Sequence, residues 1–239
     1  MSYPIKYPTP QGANIQIFNG GDPQTTGHLF EKRWVKPQGA SFVWFTLIGA
    51  GGGTENQATV FYGGGSGAVT NFMCPAFLIP DSLTVVVGLG GVAGSDGTAT
   101  EIFYQQKTGT GYSLLTANGG ISGTTTGSGG AAMTANYFTP IGFFQSVQGQ
   151  PGAGGDQSAS TTTFLSGGSY SGASNITNYG YSASGNGFFQ MQPIIVGIGG
   201  GNGATGNGRG GIGCGGGGTT GSPSNTGKGG DGMVVIITW

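Results

Sequence analysis

The closing stretch Gly227–Trp239, GKGGDGMVVIITW, decides how the chain is read. Glycine dominates up to Gly232 and then gives way to an apolar run that ends on Trp239. From Gly197 to Gly232, 19 of 36 positions are glycine. Either this tract is a loose spacer, or it is a wall built from bare backbone that ends in a buried strand. In the chain as a whole, 56 of 239 residues are glycine. Glycine costs about 0.5–1 kcal/mol relative to alanine wherever it is fixed, so ordering all of it costs roughly 30–55 kcal/mol. Net stabilities are only about 5–15 kcal/mol. Ordered glycine therefore needs a compensating gain, and close backbone approach supplies one. Extended threefold helices make no internal hydrogen bonds, so every peptide group can serve a neighbouring pass of the chain.

Composition favours the wall. Collagen requires glycine at every third place with abundant proline, whereas GIGGGNG (Gly197–Gly203) mixes steps of one and two and the chain has only 11 prolines. Disordered chains are poor in apolar residues and rich in charge; this one is 36% hydrophobic, 11% aromatic and 6% charged. Ile198, Ile212 and Cys214 recur within the tract, which lacks the Ser/Lys/Glu character of a solvated spacer. The net charge of −1 leaves no basic patch to displace counterions from nucleic acid. The longest apolar run, Phe42–Ala50, is too short to span a bilayer. The start MSYPIKYPTPQG has no apolar signal core. The expectations are therefore no nucleic-acid partner, no membrane insertion, and no secretion by a leader. Cys74 and Cys214 are read as small buried residues rather than a disulfide framework.

Strand signals recur along the chain. Leu29–Val35, Ser41–Ala50, Ala68–Met73, Leu83–Gly88, Thr98–Tyr104, Tyr112–Asn118, Gln192–Gly199 and Met233–Trp239 are rich in β-branched and aromatic residues, and turn signals separate them. No stretch carries helical periodicity with caps. The expected fold is all-β, a β-sandwich or jelly roll with ordered glycine-rich, polyglycine II-like segments packed on it. Val85–Val87 and Met233–Ile237 are continuous apolar runs, which predicts strands covered on both faces, with the glycine-rich segments as the available cover. Residues 1–26 read as a proline-rich N-terminal arm in which Ile15–Phe18 can pair with another strand. Residues 27–239 read as one glycine-rich β domain, and 105–190 as a variable, receptor-facing insert.

The order of these elements resembles the glycine-rich domains of tail fibres and tip adhesins of tailed bacteriophages. Trp34–Gly53, WVKPQGASFVWFTLIGAGGG, carries the aromatic, the proline, the turn and the strand ending in Gly-Ala-Gly-Gly-Gly. Gly63–Ala68, Leu83–Gly91, Gly97–Phe103 and the closing Gly227–Trp239 follow in the order usual for those domains. Thr54–Tyr62 interrupts the first glycine cluster, and Gln105–Gln190 matches no such pattern. The resemblance implies a glycine-helix scaffold carrying host-binding loops on a virion. By analogy with fibres it also implies a homotrimer. The alternative reading is a capsid decoration or minor structural capsid protein that grips neighbouring virion proteins through its N-terminal arm.

Within the insert, Ser166–Phe189 is Ser, Gly, Tyr or Asn at 18 of 24 positions. Antibody paratopes favour the same types, because tyrosine gives broad amphipathic contact and the others adapt their hydrogen bonding. Tyr170, Asn175, Asn178, Tyr179 and Tyr181 are the candidate receptor-binding residues, for a bacterial surface glycan or an outer-membrane protein. Burial within their own domain is the competing reading. Ala135–Phe144, with Phe138, Phe143 and Phe144, reads as core or subunit contact. No enzyme is expected. His28 is the only histidine, there is no nucleophile elbow, and the eight acids form no evident pair. Gly201-x-Gly203-x-x-Gly206 lacks the helix that a dinucleotide fingerprint needs, and Gly227-Lys228-Gly229 lacks the hydroxyl residue of a phosphate loop. No cofactor and no metal are expected.

Overall fold

A computed structural model describes residues 12–20, 30–54, 63–104, 112–123, 128–152, 160–161, 170–171, 181–182, 210–219 and 227–239. Thirteen strands are defined among them. Nine are of five to seven residues: β1 (Asn14–Asn19), β2 (Phe30–Val35), β3 (Phe42–Ile48), β4 (Val69–Pro75), β5 (Ser82–Val87), β6 (Thr100–Tyr104), β7 (Tyr112–Ala117), β8 (Phe143–Val147) and β13 (Met233–Thr238). Four are two-residue ladders: β9 (Ser160–Thr161), β10 (Tyr170–Ser171), β11 (Tyr181–Ser182) and β12 (Gly218–Thr219). Two antiparallel sheets, in the orders β1-β13-β3-β4-β8 and β2-β5-β6-β7, pack face to face as a β-sandwich. The segment Gln192–Gly199, expected as a strand, lies outside the described residues.

Alternation explains why these sequences form strands. Val43, Phe45 and Leu47 of β3 point into the core between the sheets, as do Val234 and Ile236 of β13. Trp34 meets Phe45 edge-on at 5.8 Å, and Phe72 packs on Phe138 at 4.8 Å, contacts each worth about 0.5–1.5 kcal/mol beyond burial. The remaining residues of β13 face the other way. Met233, Val235 and Ile237 form a second cluster with Ile48, Val69 and Cys214. All six residues of β13 are buried, and Ile212 and Cys214 of the glycine-rich tract lie on its outer face. The doubly covered strand and its glycine-rich cover therefore match the sequence expectation. β1 pairs with β13 of the same chain, from Asn14 opposite Thr238 to Asn19 opposite Met233. β8 was not anticipated as a strand. Its Phe143 projects outward, while Phe144 packs on the core and Phe138 lies within it.

Strand register places the described glycine-rich passages that flank the long strands at one end of the sandwich. Ile48 is opposite Met233 and Val69, and Val69 is opposite Val147. In the second sheet, β5 ends, β6 begins and β7 ends on the same side. The chain leaves β3, β5, β7 and β8 there as glycine-rich passages and enters β4, β6 and β13 from others. Two threonines join the sheets at this junction. Thr100 Oγ1 of β6 donates to the Ile48 carbonyl of β3 at 2.7 Å and accepts from the Gly88 N–H at 3.0 Å. Thr70 Oγ1 of β4 donates to the Thr116 carbonyl of β7 at 2.7 Å.

The passage 49–54 shows how the glycine bundle is built. Gly49 and Gly52 donate to the carbonyls of Ala68 and Gly65, Ala50 and Gly53 to those of Thr98 and Ser95, and Gly51 and Thr54 to those of Gly230 and Gly227, over 2.8–3.3 Å. The partner changes at each residue and recurs at every third, a turn of about 120° per residue, as in a threefold extended helix. Its carbonyls look the other way. Ala50 and Gly53 accept from Gly120 and Gly123, Gly51 and Thr54 from Gly91 and Gly94, and Gly52 from Gly216. Three antiparallel passages thus take its N–H groups, and three parallel ones supply its carbonyls with donors. Close packing requires glycine here. A Cβ on Gly51, Gly52 or Gly53 would overlap the carbonyl of Cys214, Ile121 or Val92, and one on Gly97 would lie 2.5 Å from the Ala50 oxygen. Positive φ is not the reason: among the described residues it occurs at Gly12, Gly39, Gly94 and Gly213, outside this passage.

Candidate functional site

The far end of the bundle, away from the sandwich, is where the longest connections begin and finish. Thr54 donates to Gly227, Gly94 donates to Thr54, Gly123 donates to Gly53, and Gly64 donates to Gly216. A Cβ on Gly152 would overlap the Gly63 carbonyl, so the passage after β8 ends at the same level. Seven passages therefore stop together. The connections that continue from them, 55–62, 124–127, 153–209 and 218–226, include most of the Tyr- and Asn-rich insert. The one tip turn described in full is Val92–Ser95. Ser95 donates to the Val92 carbonyl at 2.9 Å, Gly94 takes a positive φ of 71°, and Val92 stands exposed.

Interlocking makes this end a rigid platform. Its anchoring passages are buried and bonded to several neighbours, and side-chain groups complete the pattern at the edges. Asp96 Oδ1 accepts from the Ser122 N–H at 2.7 Å. Asp231 Oδ1 accepts from the Gly90 N–H at 2.8 Å and holds the Lys228 ammonium at 3.3 Å. Ser66 Oγ accepts from the Gln150 N–H at 2.8 Å. A charged acceptor on a backbone N–H makes a stronger bond than a neutral one. Both carboxylates sit in glycine-flanked passages, in GSDG and GGDG. Among the described residues no cluster of His, Cys, Asp and Glu could hold a metal ion. No helix among them is long and apolar enough to cross a membrane.

The structure locates two of the five candidate residues by their backbone. Tyr170 in β10 pairs in parallel with Gly218 of β12. Gly218 directly follows Gly217, whose carbonyl accepts from Gly227 at 3.2 Å, so the Tyr170 backbone adjoins the far end of the bundle. Tyr181 in β11 pairs with Ser160 of β9. Asn175, Asn178 and Tyr179 lie outside the described residues, as does His28. Sequence reasoning did not single out the exposed aromatics of the opposite end, Tyr104, Tyr112 and Phe77. Their signal was positional: each lies at or next to a strand terminus on the side opposite the glycine passages.

Cys74 is buried between the sheets and Cys214 on the outer face of β13, in separate clusters. Burial pushes the Cys74 thiol up to about 12, so it is not a nucleophile at neutral pH. A family model described as a glycine-rich domain matches residues 25–239. A search of curated proteins finds no match.

Proposed function

The chain belongs to the glycine-rich domain family, and on that premise we propose that it is a non-enzymatic receptor-binding protein of a bacteriophage particle. In this reading the sandwich faces the virion and the far end of the bundle faces the host. The convergence of seven bundle passages at one end is the observation that carries the reading. A bundle with few side chains is poor in chemistry of its own and well suited to holding loops. The sequence that continues after Gly152 contains Tyr170, Asn175, Asn178, Tyr179 and Tyr181, whose residue types suit adaptable contact with a glycan or a protein loop. The sequence resemblance to tail-fibre and tip-adhesin domains supports the same orientation of roles. Several copies on one particle would raise avidity.

The test is cell binding by the purified, labelled chain. Retention on host cells is expected, with Tyr179→Ala and Tyr181→Ala each lowering it at unchanged melting temperature. Wild-type retention by both variants would remove the site assignment. Binding to empty capsids in place of cells would replace the receptor-binding reading with that of a decoration protein.

A further inference from the structure

The end of the sandwich opposite the glycine bundle carries large apolar side chains that its own described residues leave uncovered. Val35 ends β2, Phe42 begins β3, Tyr112 begins β7 and Phe143 begins β8; their exposures run from 41% to 68%. Phe77 and Leu78 lie in the short helix after β4, and Phe77 is 81% exposed. Phe42 also stacks on Trp239 at 5.8 Å. Exposed apolar side chains gathered at one end of a fold offer an interaction surface.

We propose that residues 1–11, MSYPIKYPTPQ, bind this base within the same molecule. Three observations point to this occupant. The first is where the segment is tethered. Asn14 is opposite Thr238 at the base end, and Gly12, just before it, turns the chain with a φ of 91°. The second is reach. Eleven residues in a polyproline path span about 34 Å, whereas five strands side by side cover only about 20–25 Å. The third is chemistry. Pro4, Pro8 and Pro10 favour the extended path, Tyr3, Ile5 and Tyr7 supply apolar contact, and Lys6 is the single charged side chain. Proline-rich segments dock on aromatic-lined surfaces because their conformation is preformed. Tethering holds the segment at millimolar effective concentration, which favours its own base over that of another copy. This inference does not depend on what the far end of the bundle binds.

Limited trypsin cleavage after Lys6 in the full chain tests it. Cleavage tracks the population of the undocked segment, so it is expected to be at least roughly tenfold slower than in a free peptide of residues 1–11. Phe77→Ser combined with Tyr112→Ser is expected to restore the peptide's rate, with circular dichroism confirming the fold. Cleavage of the wild type at the peptide's rate overturns the proposal, and so does protection that survives in the double variant. Protection that grows with protein concentration assigns the base to a second copy instead. A photo-crosslinking residue at position 77 gives an independent readout that needs no destabilising change. Cross-links to residues 1–11 within one molecule are expected, and their absence contradicts the docking.

Discussion

The sandwich and the glycine bundle share strands but are held together by different means. In the sandwich, Trp34, Phe45, Phe72 and Leu115 are buried, and packing of side chains excludes water. In the bundle, passages such as 49–54 have almost no side chains, and each peptide group is bonded to a different neighbour. The sandwich tolerates changes that keep volume and polarity, because neighbouring side chains can adjust. The bundle has few side chains to adjust, so a single methyl group meets a backbone carbonyl. Side chains define one region, and their absence defines the other.

Substitutions of similar size should therefore give very different results in the two regions. Gly51→Val places a branched side chain against the Cys214 carbonyl and is expected to cost more than about 5 kcal/mol, leaving no cooperative unfolding transition by calorimetry. Phe72→Ala empties a core site and is expected to cost about 3–5 kcal/mol in denaturant unfolding. A folded Gly51→Val protein together with an unfolded Phe72→Ala protein would invert the comparison. The next largest effect concerns pH. The Cys74 thiol is raised from 9.0 to about 12 by burial. The unfolded state therefore loses its proton first, and stability contributed by the neutral thiol is intact below pH 9 and lost as pH rises toward 12. Unfolding at pH 10 is expected to be easier in the wild type by on the order of 1 kcal/mol, relative to its value at pH 8, than in Cys74→Ala. The smallest effect is Gly39→Ala. Gly39 has a φ of 79° with open space around its Cα. Only conformational strain is incurred, about 1 kcal/mol, visible as a small fall in melting temperature.

The same contrast explains what could be read from sequence. The strands of the sandwich were legible because β-branched and aromatic residues cluster between turn signals; Ser41–Ala50, which contains β3, is the clearest case. β8 escaped because Phe143–Val147 has polar residues at Gln145 and Ser146 and a half-exposed pattern, so its apolar signal is confined to Phe143, Phe144 and Val147. That the glycine runs bear on the sandwich was legible from the apolar run Met233–Ile237, which needed a second cover. Which passage pairs with which was not legible, because a glycine carries no mark of its partner. Register in the bundle is inherited from the strands that feed it, as Ile48 opposite Met233 and Val69 sets Gly51 beside Gly230 and Gly52 beside Gly65. Of the candidate site, composition marked the Tyr- and Asn-rich insert. The direction in which the bundle presents its loops depends on sheet topology, which local sequence does not encode.

Amide hydrogen exchange at Gly51, Gly52 and Gly53, followed by NMR, compares the two regions most directly. These protons should exchange only by global unfolding, with free energies equal to those of Leu47 and Val234 in the sandwich core. Exchange at the rate of an open loop, while Leu47 and Val234 stay protected, would show that the glycine passages are not bonded to one another and would remove the rigid platform at the far end.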